Sequence, residues 1–174
     1  MLFRSNLSPE ALLSGRELLN LPADLSSITI EVTENALVTE GPELEMALQD
    51  LRARGARIAV DDAGVGYAGF AQLVRVRPDV VKLDRSLVES VNVQPTKAAV
   101  IKAFVGFAED TGALICAEGI ETAGELHVVR ALGSATGQGF LLGRPGIDWA
   151  PAQPAVPLPA RQAEGVVELR RAAG

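Results

Sequence analysis

The chain has 174 residues, of which 48% are hydrophobic, and this length and composition predict one folded domain and exclude intrinsic disorder. Its formal net charge of −6 excludes a broad electrostatic surface for a nucleic acid polymer or an anionic membrane, so a phosphate-bearing ligand would need a local cation. The single cysteine, Cys116, cannot form an intramolecular disulfide, and no window approaches about 18 uninterrupted apolar residues, so we expect a cytoplasmic chain that makes no membrane contact.

Short apolar segments that end in polar residues alternate with segments of helical periodicity. In chain order, the predicted strands and the helices that follow them are 2–8 with 9–20, 27–34 with 41–55, 57–62 with 69–78, 79–84 with 95–112 and 113–119 with 122–133, before a last strand within 134–145. Pro42 and Gly55 suit the start and the end of the second helix. Thr122, three places before Glu125, is typical of a capping box.

This alternation predicts an α/β fold with a parallel sheet, because each helix returns the chain to the edge where the next strand begins. Six strand-then-helix steps can be counted, although the last helix is weak. Beyond Trp149 the sequence is rich in Pro and Ala. We therefore expect a folded domain over 1–149 and a flexible tail over 150–174.

Polar side chains lie at the end of every predicted strand: Asn6, Glu31, Glu34, Asp61, Asp62, Lys82, Asp84, Glu118 and Gln138. The carboxyl ends of parallel strands meet at one face, so these residues are expected to be neighbours. One acidic strand end is ordinary, but four in succession would repel one another by several kcal/mol unless they share protons or metal ions. Oxygen ligands favour hard cations, and the adjacent Asp61 and Asp62 suit two metal ions about 3.5 to 4 Å apart, the arrangement that hydrolyses phosphodiesters.

Three residues in this pattern allow more than one interpretation. Lys82 could hold a phosphate oxygen or the attacking water, or it could be a structural lysine that neutralises nearby acids. Glu118 could accept the proton of the water, or it could be a further metal ligand or a hydrogen-bonded support. His127, the only histidine, lies in the middle of a predicted helix and is expected to be a surface or core residue rather than a ligand.

Six motifs together resemble the EAL domain family, phosphodiesterases that open cyclic di-GMP to the linear dinucleotide. They are "SNLS" (5–8), "EVTE" (31–34), "DDAGVGY" (61–67), "KLDRSLV" (82–88), "AEGIE" (117–121) and "GQGFLLGRP" (137–145). Each motif alone is weak evidence. Their order and spacing extend the resemblance from residue 2 to about residue 149.

The resemblance implies that Asn6, Glu31 and Asp61 bind one divalent ion and that Asp61 and Asp62 hold a second, with Mg²⁺ or Mn²⁺ as the cofactors. It implies Glu118 as the base or water-orienting carboxylate, and Lys82 beside the nucleophilic water and the phosphate, with Asp62 in the catalytic set. The implied loop and substrate-supporting residues are Glu34, Gly64, Gly66, Asp84, Glu121 and Gln138. The implied partners are cyclic di-GMP, a second copy in a homodimer and sensory domains upstream.

The sequence departs from the family pattern in two places. The Glu-Ala-Leu strand at the start of the family domain is missing, so we expect an N-terminally truncated TIM-barrel-like fold with about six of eight β/α units, lacking the first two, and weak or no activity in this chain alone. Ala63, Ala68 and Gly69 stand where the family more often has Phe and two serines, which concerns regulation more than chemistry.

A cyclic di-GMP phosphodiesterase that uses two metal ions is the first hypothesis for the function. The alternative is a catalytically silent EAL module that binds cyclic di-GMP or a protein partner in signalling. The retained acidic residues and Lys82 favour the enzyme, because folding does not require that set. An unrelated Mg²⁺-dependent barrel hydrolase is a third and weaker interpretation.

Overall fold

The computed structural model describes residues 3–6, 12–13, 21–33, 42–64, 69–144 and 167–168, with backbone alone for 3–6, Gly69 and 167–168. The chain divides into two compact units, Leu2–Lys82 and Leu83–Gly174. Of the predicted helix 9–20, only Leu12 and Leu13 are described, and both are helical.

The first unit contains parallel strands in sequence order: β1 (Phe3–Asn6), β2 (Ile28–Thr33), β3 (Arg57–Ala63) and the start of β4 (Val80–Leu83). In the register of this sheet, Asn6 pairs with Glu31, and Thr33 pairs with Asp61. Both faces of β2 are buried, as is usual for a strand in a parallel sheet. The apolar residues of β2 lie on one face, so its polar residues share the other.

The helices of this unit that are described along their whole length are α1 (Pro42–Ala53) and α2 (Gly69–Val76). The predicted apolar stripe of α1 is buried through Leu44, Leu48 and Leu51. Arg52 of α1 donates to the carbonyl oxygen of Val76 at 2.8 Å, so it satisfies a backbone acceptor at the end of α2. The strand and helix alternation predicted for this unit is confirmed.

The second unit contains α3 (Arg85–Val88), α4 (Pro95–Thr111), β5 (Leu114–Ala117), α5 (Ala123–Leu132), β6 (Thr136–Gly137) and β7 (Val167–Glu168). The predicted stripe of α4 is buried through Ile101, Phe104, Val105 and Ala108. The capping box of α5 is present, and Gly133 ends this helix in the left-handed conformation. β5 and β6 pair in parallel.

Two short elements of the second unit were not predicted. α3 forms where the sequence indicated a loop, because the Asp84 side chain accepts a hydrogen bond from the Ser86 backbone at 2.8 Å and caps the turn. β7, which lies inside the expected tail, pairs antiparallel with β6. The rest of 150–174 lies outside the described residues, so the division into domain and tail stays a prediction.

The longest helix in the described part of the chain, α4, has 17 residues, and none of the described helices qualifies as a membrane span. The one cysteine, Cys116, is buried in β5 and forms no disulfide.

Candidate functional site

A buried lysine joins two carboxylates in the first unit. Lys82 Nζ lies 2.9 Å from Glu31 Oε2 and 2.9 Å from Asp61 Oδ1. Glu31 and Lys82 are 5% and 4% exposed, and the Asp61 side chain is 15% exposed. Charges with so little access to water are tolerated when oppositely charged groups surround them, and the lysine supplies that compensation here.

Strand register explains why these three side chains meet. Glu31 of β2 pairs with Ala59 of β3, and Asp61 lies two residues beyond Ala59, so Glu31 and Asp61 share one face of the sheet. Lys82 belongs to β4, which follows β3 in the sheet order. The predicted convergence of polar strand ends is therefore observed for these three residues. It also matches the structural interpretation of Lys82, since its ammonium group neutralises neighbouring acids.

Asp62 has a different environment from Asp61. It is exposed, and its φ of 57° places a non-glycine residue in the left-handed region, which Asp tolerates better than most residues. Its backbone N–H donates to Asp61 Oδ1 at 3.1 Å. Gly64 follows with a φ of 102°. The paired aspartates therefore occupy a sharply turned backbone in which Asp61 faces Lys82 and Asp62 faces the surface.

The other predicted members of the first-unit site are described incompletely or not at all. The register places the backbone of Asn6 beside Glu31, and nothing further is described for Asn6. Glu34 and Gly66 lie outside the described residues.

In the second unit, Glu118 contacts Gln138. The Gln138 side-chain amide donates to Glu118 Oε1 at 2.5 Å, and the backbone N–H of Gln138 donates to the carbonyl oxygen of Ala117 at 2.9 Å. Ile120 N–H donates in turn to the Gln138 carbonyl oxygen at 3.0 Å. The Glu118 carboxylate is thus held by a neighbour that is itself fixed through its backbone. This geometry matches a hydrogen-bonded carboxylate and is compatible with a base.

Gly139 is required at its position by the backbone that it approaches. Its φ is 155°, and a Cβ atom there would overlap the backbone of Ile120. Glycine lets the segment after β6 lie directly against the segment after β5. That close approach brings Gln138 to Glu118.

The predicted supporting residues Asp84 and Glu121 are linked through Arg85. Asp84 caps α3, of which Arg85 is the first residue, and Arg85 Nη1 lies 3.0 Å from Glu121 Oε1. Both side chains of this ion pair are partly exposed, so the pair is worth little by itself. No local sequence pattern predicts that Arg85 lies beside Glu121, since the two residues are 36 positions apart.

Glu125 has a larger role than the predicted helix cap. Its Oε1 accepts a hydrogen bond from the Ser90 N–H at 2.8 Å, and its Oε2 accepts from the N–H groups of Glu121 and Thr122 at 3.0 Å and 2.9 Å. Burial disfavours the charged form, but these backbone donors outweigh burial and hold the pKa of Glu125 below its ordinary value. His127, predicted to be a surface or core residue, lies on the same helix and is exposed.

The donor set of the first-unit site is suited to a hard cation. Glu31 and Asp61 each direct a carboxylate oxygen at Lys82 Nζ, and hard divalent ions prefer such oxygen ligands. Within the described ranges, no group of three or more His, Cys, Asp or Glu side chains is arranged to hold a metal ion. A divalent ion bound by the two carboxylates would therefore need further ligands.

Comparison with known proteins gives matches to one family. The family model described as "EAL domain" matches residues 4–145. "Cyclic di-GMP phosphodiesterase PA2567" of Pseudomonas aeruginosa is 35% identical over 122 residues, which are 70% of this chain and 21% of that protein. The chain thus spans about a fifth of this curated relative.

Solved structures give the same result for the fold. Klebsiella pneumoniae BlrP1 in a manganese and cyclic di-GMP complex has a TM-score of 0.76 and 34% identity, covering 83% of this chain and 39% of that chain, and its calcium complex has a TM-score of 0.75. The EAL domain of Mycobacterium smegmatis DcpA has a TM-score of 0.71 and 28% identity, covering 83% of this chain and 68% of that chain. The predicted TIM-barrel-like fold is confirmed, and this chain covers part of the domain.

Proposed function

Because the chain belongs to the EAL domain family, we propose that it provides catalytic residues of a phosphodiesterase that hydrolyses cyclic di-GMP to linear pGpG. The observation that carries this proposal is the buried contact of Lys82 with both Glu31 and Asp61. A buried trio of two acids and a lysine costs desolvation energy that an apolar core would avoid. The substrate in this proposal is inferred from the names of the relatives reported above.

We assign Glu31 and Asp61, together with Asn6 and Asp62, as ligands of divalent ions, either Mg²⁺ or Mn²⁺. A bound divalent ion would neutralise the acids and polarise the phosphate oxygens. The manganese and cyclic di-GMP complex of BlrP1 supports Mn²⁺ as one choice. The oxygen-only donor set supports either ion.

The side chains of the chain have distinct roles in this proposal. Lys82 holds Glu31 and Asp61 in their relative positions and contributes a positive charge near the phosphate. Glu118 takes the proton of the attacking water, and the hydrogen bond from Gln138 fixes the orientation of its carboxylate. Asp84 and Glu121 support the segments that flank these residues.

Three properties of the wider protein belong to the same proposal. Homodimerisation is supported by Phe70 and Val74, which lie four residues apart on α2 and are 42% and 62% exposed. Further sensory domains are supported by the small share of the relative that the chain spans. A cytoplasmic location is supported by Cys116, which forms no disulfide.

The direct experiment incubates the chain with cyclic di-GMP and Mg²⁺ or Mn²⁺ and separates the products by chromatography. We expect at most slow formation of pGpG by the wild-type chain and none by Glu118→Gln, with nucleotide binding by Glu118→Gln still detectable by calorimetry. Glu43→Gln, an identical change at an exposed position of α1, is the matched control and should behave like wild type. Binding without turnover in every variant would support the catalytically silent module instead, and absence of both would refute a role in cyclic di-GMP chemistry.

A further inference from the structure

Glu125 connects two segments that are far apart in the sequence. We name residues 118–122 the Glu118 loop and residues 84–90 the α3 turn. One oxygen of Glu125 accepts a hydrogen bond from Ser90 of the α3 turn, and the other accepts two from Glu121 and Thr122 of the Glu118 loop. A capping box accounts only for the contacts between Glu125 and Thr122. The hydrogen bonds from Ser90 and Glu121 therefore have a consequence beyond helix capping.

The Glu125 carboxylate is well placed to make this connection strong. Glu125 is 5% exposed, so solvent competes little for its oxygens. Hydrogen bonds that a buried, ionised acceptor receives from backbone N–H groups are among the strongest in proteins. Each of its two oxygens serves a different segment, so loss of either oxygen would remove the hydrogen-bonded bridge that the carboxylate makes between the Glu118 loop and the α3 turn.

Arg85 and Gly119 connect the same two segments by packing. A Cβ atom at Gly119 would come within 2.5 Å of Arg85 Cγ, so the arginine stem lies directly against the glycine backbone. The Arg85 guanidinium group then reaches Glu121 at 3.0 Å. The two segments therefore touch through packing, through an ion pair and through the Glu125 carboxylate.

Ser90 shows that the connection constrains the backbone. Its φ of 59° is unfavourable for a serine and persists only where surrounding contacts hold it. The hydrogen bond from Ser90 N–H to Glu125 is such a contact, at 2.8 Å. Without the carboxylate, the α3 turn has less reason to keep this conformation.

We propose that Glu125 is a positioning residue, which fixes the Glu118 loop against the α3 turn and thereby holds the Glu118 carboxylate at Gln138. The catalytic consequence rests on the function proposed above, whereas the positioning itself does not. Glu125 touches neither substrate nor reacting atoms in this proposal. It acts through the backbone of the loop that begins at Glu118.

Glu125→Gln tests the proposal in the full chain, with Thr122→Val as the matched control. The glutamine keeps one oxygen acceptor and replaces the other with an NH₂ group, so it cannot serve both segments. Thr122→Val removes the other half of the capping box, in which Thr122 Oγ1 accepts from Glu125 N–H at 3.2 Å, and leaves the carboxylate contacts in place. A purely helix-capping role predicts similar effects from both changes.

The first measurement does not depend on phosphodiesterase activity. In ¹H–¹⁵N spectra we expect the Gln138 side-chain NH₂ signal to shift in Glu125→Gln and to stay in place in Thr122→Val, because that amide donates to Glu118. Exchange of the Ser90 amide should accelerate about tenfold or more in Glu125→Gln alone. Unchanged Gln138 and Ser90 signals in Glu125→Gln would overturn the proposal. Should Glu125→Gln fail to fold, Glu125→Asp gives the same comparison, since it keeps the charge and shortens the reach.

The second measurement is turnover of cyclic di-GMP. We expect kcat to fall about 10-fold to 100-fold in Glu125→Gln with little change in KM, and Thr122→Val to stay near wild type, because misplacement of a base affects the chemical step. Equal turnover in the two variants would overturn the catalytic part of the proposal. If the wild-type chain neither binds nor hydrolyses cyclic di-GMP, the proposed function fails, and the Gln138 signal still decides the positioning.

Discussion

Replacement of Lys82 by methionine removes the ammonium group and keeps a side chain of similar length. Lys82 is 4% exposed and contacts Glu31 and Asp61 at 2.9 Å each. At that distance and an effective dielectric constant of about 20, each attraction is roughly 6 kcal/mol before desolvation is subtracted. Removing one partner of a buried ion pair costs about 3–5 kcal/mol in measured cases, and we expect Lys82→Met to lie in that range.

Urea titration followed by circular dichroism gives the free energy of unfolding, and a thermal scan gives Tm. For a chain of this size, about 3–5 kcal/mol corresponds to a Tm roughly 6–20 °C lower. Lys102→Met, an identical substitution at an exposed position of α4, is the control and should stay within about 0.5 kcal/mol of wild type. Mn²⁺ should recover part of the loss in Lys82→Met, because a divalent ion supplies the positive charge that the two carboxylates have lost.

The reasoning is refuted if Lys82→Met unfolds at the same urea concentration as Lys102→Met. That result would mean that the two carboxylates reach solvent or separate at negligible cost. If Lys82→Met is destabilised and Mn²⁺ changes neither its Tm nor that of wild type, the ion pairs are real and the assignment of Glu31 and Asp61 as metal ligands is wrong.

Three further predictions concern other parts of the chain. Because the pKa of Glu125 is lowered in the folded chain, its contribution to stability is fully present above the unfolded pKa of about 4.3 and is lost as the pH falls through the folded pKa. The unfolding free energies of wild type and Glu125→Gln should therefore converge below about pH 4. A difference between the two free energies that stays constant down to pH 2 contradicts this prediction. Gly139→Ala should cost about 3 kcal/mol or more in urea titrations, since the new methyl group would overlap neighbouring backbone, whereas Gly143→Ala, with open space around it, should be neutral. Val74→Glu should lower the apparent mass in analytical ultracentrifugation, whereas Val93→Glu, at a similarly exposed valine, should leave it unchanged. Equal masses for the two variants would count against dimerisation through α2.

Features of the fold that depend on neighbouring residues in sequence were predictable. The buried stripe of α4, the capping box of Thr122 and Glu125 and the left-handed Gly133 are as the sequence predicts, because each depends on contacts within a few residues. The positions of the strand ends were also predictable, because each depends on neighbouring residues in the sequence. Their convergence on one face follows from topology, and the contact of Lys82 with Asp61 and Glu31 agrees with it.

Long-range contacts that do not follow from the strand topology were not predictable. The sequence signals of Glu125 describe a local cap, whereas its bond to Ser90 joins residues 35 positions apart. α3 is not predictable from the sequence because four residues show no helical period, and because Asp84, whose side chain caps it, also fits the pattern of polar strand ends. The pairing of β7 with β6 was missed because two residues within a Pro-rich segment carry no strand pattern.

The two interpretations of Lys82, structural lysine and phosphate-binding group, do not exclude each other. Two carboxylates and one ammonium group leave one net negative charge, which repels a phosphodiester. One divalent ion would reverse that sign and would make the same group attractive to an anionic dinucleotide. In the proposed function, the lysine would hold the two acids together before an ion binds, and its charge would add to the attraction of the substrate afterwards. A substitution at Lys82 should therefore weaken stability and cyclic di-GMP binding together, whereas a change at Glu118 should affect turnover and spare stability.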